Sequence, residues 1–163
     1  MKLRSLWQSH KFFLGVFSIL VAASLLRFPF LTLFTPAMLQ DEANIGFNAM
    51  SIAETGRDEW GHPYPLTFKS FGDDKPPVYF YTTALVYKLL GWSPALPRIP
   101  SAVAGVVSTL LVILLVKKLT DSQSAALLTG AVMALSPWTI QLSRMALESN
   151  LALSFFLFGL LLF

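Results

Sequence analysis

The chain has 163 residues, of which 55% are hydrophobic and 13% charged, with a net charge of +3 and no cysteine. Soluble domains carry about 25% charged residues, and this apolar load excludes disorder and speaks against a compact soluble domain. The absence of cysteine excludes a disulfide scaffold, a thiolate metal site and a cysteine nucleophile.

The apolar residues come in runs too long for strands or amphipathic helices, which predicts an all-α polytopic membrane protein. Residues 12–26 carry no charge, and after Arg27 the apolar character resumes to Phe34. Twenty-three such residues rise roughly 35 Å, enough to cross a bilayer. Small residues at Ala22, Ala23 and Ser24 give this run some likeness to a cleaved leader, but it is long and further spans come after it. Further uncharged runs cover residues 99–116 and 122–143. Residues 151–163 form a run too short to span, so the sequence reads as the N-terminal portion of a longer chain. Spans are expected near 12–34, 98–116 and 123–142, with a fourth from 150 onward and an external loop over 35–97.

Residues 76–92 are ambiguous. They are rich in aromatics (Tyr79, Phe80, Tyr81, Tyr87, Trp92), which favour the membrane–water interface. Charge decides between a short span and an interfacial helix. Residues 35–75 hold seven acids and three bases, net −4, whereas the rest of the chain is net +7. Lys2, Arg4 and Lys11 before the first span put the N-terminus in the cytoplasm, and Lys117 and Lys118 mark a second cytoplasmic end. Both hold only if 76–92 lies along the membrane.

Three charged clusters then fall on the outer side. Asp41 and Glu42 come just after the first span. Asp41 is read as an N-cap, and Ile45, Ala49, Ile52 and Ala53 succeed it at helical spacing, with Asn44, Asn48 and Ser51 on another face and Gly56 as the stop. Cap and helix-dipole roles would suffice for this acidic pair taken alone. Asp73, Asp74 and Lys75 precede two prolines that start a helix and force the preceding backbone to extend. Lys75 at the interface can meet a lipid phosphate or simply snorkel. Arg144 and Glu148 stand at i and i+4, a spacing that supports a helix. Arg98 and Arg27 fall near the same face, and ionisable groups beside spans are costly and often functional. His10, His62 and the Asp58–Glu59 pair are read as structural or solvated. Neither a glycine-rich phosphate loop nor a basic stripe for nucleic acid is present.

Four stretches in this order resemble a known family: Asp41-Glu42 after the first span, TGRDEWGHPYPLTFKSFGDDKPPVYFY, PRIPSAVAGV leading into a span, and SPWTIQLSRMALESN after the next. They are similar to the N-terminal part of the family 39-type membrane glycosyltransferases, which have the GT-C fold and include the protein O-mannosyltransferases and the aminoarabinose transferases of lipid A. The resemblance implies an enzyme that takes a sugar from a polyprenyl-phosphate carrier and passes it to a lipid, polysaccharide or protein acceptor outside the cytoplasm. It implies that helices near 43–55 and 76–91 lie along the membrane. Asp41 occupies the place of the family's catalytic acid, with Glu42 beside it as the second catalytic candidate, and Lys75 the place of the lysine that contacts the carrier or acceptor phosphate. Because a leaving phosphate develops charge that a cation stabilises, Arg98 and Arg144 are expected to bind phosphate behind Lys75, with Asp74 and Glu148 as supporting acids. Some members hold a divalent metal near an acid that precedes the lysine. Asp74 matches that place, but metal use varies across the family and no cofactor is carried over. A single displacement at the anomeric carbon would invert it, without a second carboxylate nucleophile. Family enzymes are several times longer, so this portion alone is expected to be inactive. The rival expectation from composition is a transporter or an assembly subunit. A transporter, however, shows broken helices near the midplane and internal symmetry, whereas this chain gathers its ionisable residues in one external loop.

Overall fold

A computed structural model describes residues 2–31 and 38–163, with side chains from His10 onward. It is all-α apart from one small hairpin. The helices are α1 (Lys2–Arg27), α2 (Gln40–Thr55), α3 (Pro77–Leu90), α4 (Ile99–Thr120), α5 (Gln123–Leu135), α6 (Pro137–Ser143) and α7 (Glu148–Leu162). The hairpin pairs β1 (Phe68–Ser70) with β2 (Asp73–Lys75), and a 3-10 turn over Leu96–Arg98 leads into α4.

Among the described residues, two stretches, His10–Arg27 and Leu96–Thr120, are single helices long and apolar enough to cross a membrane. The run expected to end at residue 34 stops being helical at Arg27. Phe28 precedes Pro29, and a residue before proline is driven out of the helical region; residues 32–34 lie outside the described part. The run expected to span as one helix over 123–142 is instead broken, with α5 and α6 meeting at 60°. Pro137 causes the break, because it lacks an N–H and its ring clashes with the preceding turn. α3, with 14 residues, rises only about 21 Å, short of a hydrocarbon core of about 30 Å.

Small residues let the apolar helices approach closely. Leu127 packs on Gly15, and Ile113 on Gly130. Asn150 donates to the Ser101 carbonyl (2.7 Å), and Ser108 and Ser154 share a hydrogen bond (2.8 Å). Such polar links join helices where water is scarce. These contacts run α1 parallel to α5, and α4 parallel to α7 and antiparallel to both α1 and α5. One end of the packing therefore gathers the C-terminus of α1, the N-termini of α4 and α7, and α6. The other end carries Lys117 and Lys118, the latter bonded to the Leu161 carbonyl.

At the first end, residues 38–98 form a core of their own. Ile45, Ala49 and Ile52 of α2 meet Tyr79, Phe80, Ala84 and Tyr87 of α3, with Phe68, Leu96 and Ala146. The Phe68 and Phe80 rings stack with centroids 4.0 Å apart. Burying each such side chain stabilises the fold by about 1.5–3 kcal/mol. α2 stops at Gly56, whose φ of 72° suits glycine and whose open face is covered by the Tyr64 ring.

The loop after α2 is more ordered than the sequence suggests. Asp58 is buried rather than solvated: it accepts from the Trp60 and His62 backbone N–H groups and contacts the His62 ring. Glu59 accepts from Asn44 and Asn48, so the polar face of α2 serves to hold this loop.

Candidate functional site

Leu39, not Asp41, is the N-cap of α2, and Asp41 and Glu42 stand in its first turn. Helical geometry sends these neighbours in different directions. Glu42 turns inward and is 1% exposed. It accepts Arg98 Nε (2.9 Å) and Nη2 (2.8 Å) in a bidentate pair. It also accepts the backbone N–H groups of Leu39 (3.1 Å) and Ala146 (2.7 Å). Arg98 in turn donates to the Leu31 carbonyl. Four segments thus meet at one buried pair: the turn after α1, the start of α2, the start of α4 and the 144–147 loop. Burial alone would raise the Glu42 carboxyl, but the Arg98 hydrogen bonds, the two backbone donors and the Arg98 charge outweigh it and hold it below the usual carboxylate value.

Asp41 turns outward, with a side chain 49% exposed. Its Oδ1 lies 3.2 Å from Lys75 Nζ, and Glu148 Oε2 lies 3.7 Å from the same ammonium. Lys75 is only 11% exposed. Burial by itself would lower Lys75, yet its bond to Asp41 and the charges of Glu148, Asp41 and Asp73 together raise it above the usual lysine value. The three residues come from α2, β2 and the first turn of α7, and only folding brings them together.

Strand alternation divides the two acids before Lys75. Asp73 shares the Lys75 face and contributes to its field, whereas Asp74 points the other way; both are exposed. Asp74, singled out from the resemblance, is therefore not the acid that supports Lys75. Asp73 and Asp74 line one small cleft with Lys69 and Gly72, and among the described residues no three His, Asp or Glu side chains come together.

Arg144 and Glu148 do not form the expected helical pair, because α6 ends at Ser143 and α7 begins at Glu148. Arg144 instead donates to the Leu26 and Phe30 carbonyls, closing the end of α1. Burial and then the nearby Arg98 charge push it below its usual value.

Sequence reasoning missed the part played by Asp73, which the alternation of a strand ahead of two prolines could have revealed. It also missed the link from Glu148 to Lys75, for which no local signal exists.

Residues 74–163, more than half of the chain, match the family model described as dolichyl-phosphate-mannose-protein mannosyltransferase. The Bacillus subtilis (strain 168) protein named "Putative mannosyltransferase YkcB" is 40% identical over 74 residues, which are 44% of this chain and 10% of that protein. The matched stretch is thus about a tenth of the length of that curated relative. No solved structure matches. With its all-α membrane architecture, the chain belongs to the dolichyl-phosphate-mannose-protein mannosyltransferase family, the family 39-type glycosyltransferases of GT-C fold.

Proposed function

We propose that residues 1–163 are the N-terminal portion of an inverting glycosyltransferase that takes a sugar from a polyprenyl-phosphate carrier and transfers it to an acceptor on the extracytoplasmic side of a multi-pass membrane protein. The observation that carries this reading is the 3.2 Å contact between Asp41 and Lys75, an accessible carboxylate beside a sheltered ammonium. The lysine-rich end of the helix packing, opposite this contact, would face the cytoplasm. α2 and α3 would lie along the outer surface, so that the carrier's lipid stays in the bilayer while its phosphate reaches Lys75.

In this reaction the acceptor oxygen attacks the anomeric carbon, and its proton passes to Asp41. The bond from that carbon to the phosphate oxygen breaks, and its electron pair leaves with the polyprenyl phosphate. Lys75 stabilises the charge that develops there. The two events are coupled: once Asp41 takes the proton it loses its charge, and the Lys75 ammonium turns from the carboxylic acid to the departing phosphate. One displacement inverts the anomeric centre. Glu148 keeps Lys75 charged and oriented. Glu42 and Arg98, mutually satisfied and buried, hold the segments that bear these groups, and Arg144 braces the same end.

The test uses the full-length protein with a short-chain prenyl-phosphate sugar as donor. Asp41→Asn should cut transfer by about 10²–10⁴-fold, Asp41→Glu should keep part of it, and the product should have the opposite anomeric configuration to the donor. Native-like transfer by Asp41→Asn, or a product of retained configuration, would refute the proposal.

A further inference from the structure

Arg27 lies at the C-terminus of α1, fully buried. A buried guanidinium in an apolar helix packing is costly unless its donors are satisfied. The acceptors of Arg27 are carbonyls and hydroxyls: Ala23 O (3.2 Å), Ala134 O (3.0 Å), Met133 O (3.1 Å), Thr139 Oγ1 (3.2 Å) and Ser143 Oγ (3.3 Å). Two of these are carbonyls left over by the break in the third span. Met133 stands four residues before Pro137, which has no N–H to offer it, and its carbonyl takes the Thr139 hydroxyl (2.6 Å) as well as Arg27. Ala134 is among the last carbonyls of α5, which ends at Leu135, and these have no intrahelical partner. The same guanidinium reaches across the bend to Thr139 and Ser143 of α6. α4 leaves room for it at Gly105, where a Cβ would overlap Ser143 and come within 2.9 Å of Arg27 Nε.

The end of α6 is tied to the site by the chain itself. Ser143 leads directly to Arg144, bonded to the end of α1, to Ala146, bonded to Glu42, and to Glu148, beside Lys75. We propose that Arg27 is a positioning residue: it caps the broken α5–α6 span and sets the direction of α6, and with it the place where Glu148 meets Lys75 and Asp41. Only the description of that cluster as a reaction site rests on the function proposed above.

The test reads geometry and needs no sugar transfer, so its failure is distinct from a failure of that function. Residues 1–163 hold no cysteine, so once any cysteine elsewhere in the full-length protein is replaced by serine, spin labels can be placed at chosen positions in lipid nanodiscs. Labels at the exposed Ala43 and Ser149 span the site, and labels at Glu54 and Leu89 report α2 against α3 as a reference. Arg27→Met should roughly double the width of the 43–149 distance distribution, as expected for local release of one segment, while the 54–89 distribution stays narrow. An unchanged 43–149 distribution would overturn the inference. Should Arg27→Met disturb both pairs, Arg27→Lys decides. That variant keeps the charge but cannot span both sides of the bend. A broad 43–149 distribution with an intact reference then supports the role. Two narrow distributions, or two disturbed ones, overturn it.

Discussion

Asp41 and Glu42 are neighbours in sequence, yet the fold gives them opposite environments. Glu42 is enclosed, with both oxygens taken by Arg98 and by backbone N–H groups from two other segments. Asp41 is half exposed and meets one ammonium on one side only. The first arrangement can hold segments together but has no oxygen left for a substrate. The second contributes little stability but keeps an oxygen within reach of solvent. An acidic pair at a helix start thus separates into a lock and a candidate reagent, and about 100° of helical rotation between consecutive residues is the reason.

The largest effect should come from breaking the lock. Glu42→Ala or Arg98→Ala leaves a buried charge uncompensated and should cost about 3–5 kcal/mol, seen as a lower unfolding temperature in detergent. Replacing both together, with Glu42→Leu and Arg98→Met, should recover only part of that loss, because the Leu39 and Ala146 N–H groups and the Leu31 carbonyl are left unpaired. Full recovery would mean that those backbone groups find other partners and that the pair only cancels its own charges.

Lys75→Met sharpens the other half of the comparison. In the full-length enzyme it should lower the transfer rate by about 10²–10³-fold, the scale for removing one group that stabilises developing charge. Its effect on stability should stay well below that of Glu42→Ala, because Asp41 is half exposed and screened and only the partly buried Glu148 loses its cation. A stability loss as large as that of Glu42→Ala would erase the distinction between the two sites.

Acid should separate the sites as well. The folded-state value of Glu42 is lowered from 4.5, so its stabilisation is fully present above that unfolded value and is lost as pH falls below it through the folded value. Glu42→Gln should flatten the acid limb of a plot of melting temperature against pH. Lys75 should behave in the opposite sense and more weakly. Its folded-state value is raised from 10.5, so its contribution is complete below that pH and disappears as pH climbs through the raised value. Lys75→Met should therefore differ from the native chain in neutral solution and converge with it in strong alkali.

Much of the architecture could be read directly from residues. Uninterrupted apolar runs located α1, α4 and α7, and the helical spacing from Ile45 to Ala53 with Gly56 after it located α2. Other features escaped for definite physical reasons. Pro137 sits in an uncharged run that hydropathy scores as one span, while the bend depends on a missing N–H and on the arginine that caps the freed carbonyls. Asp58 and Glu59 looked solvated because charge alone cannot show that Asn44, Asn48 and His62 will converge on them. Arg144 and Glu148 had helical spacing, but the helix ends between them, and each takes a partner from a distant segment.

The amino-acid sequence by itself determined that this is an apolar, helical, membrane-embedded chain whose charges cluster around residues 41, 75, 98 and 144, because hydropathy and charge are local properties. Tertiary structure alone decided which carboxylate is locked and which stays open, which acid shares a face with Lys75, and that Glu148 rather than Arg144 approaches it. Those outcomes depend on the angle at which each side chain leaves its helix or strand and on contacts between segments as many as 118 residues apart, neither of which any short stretch of sequence contains.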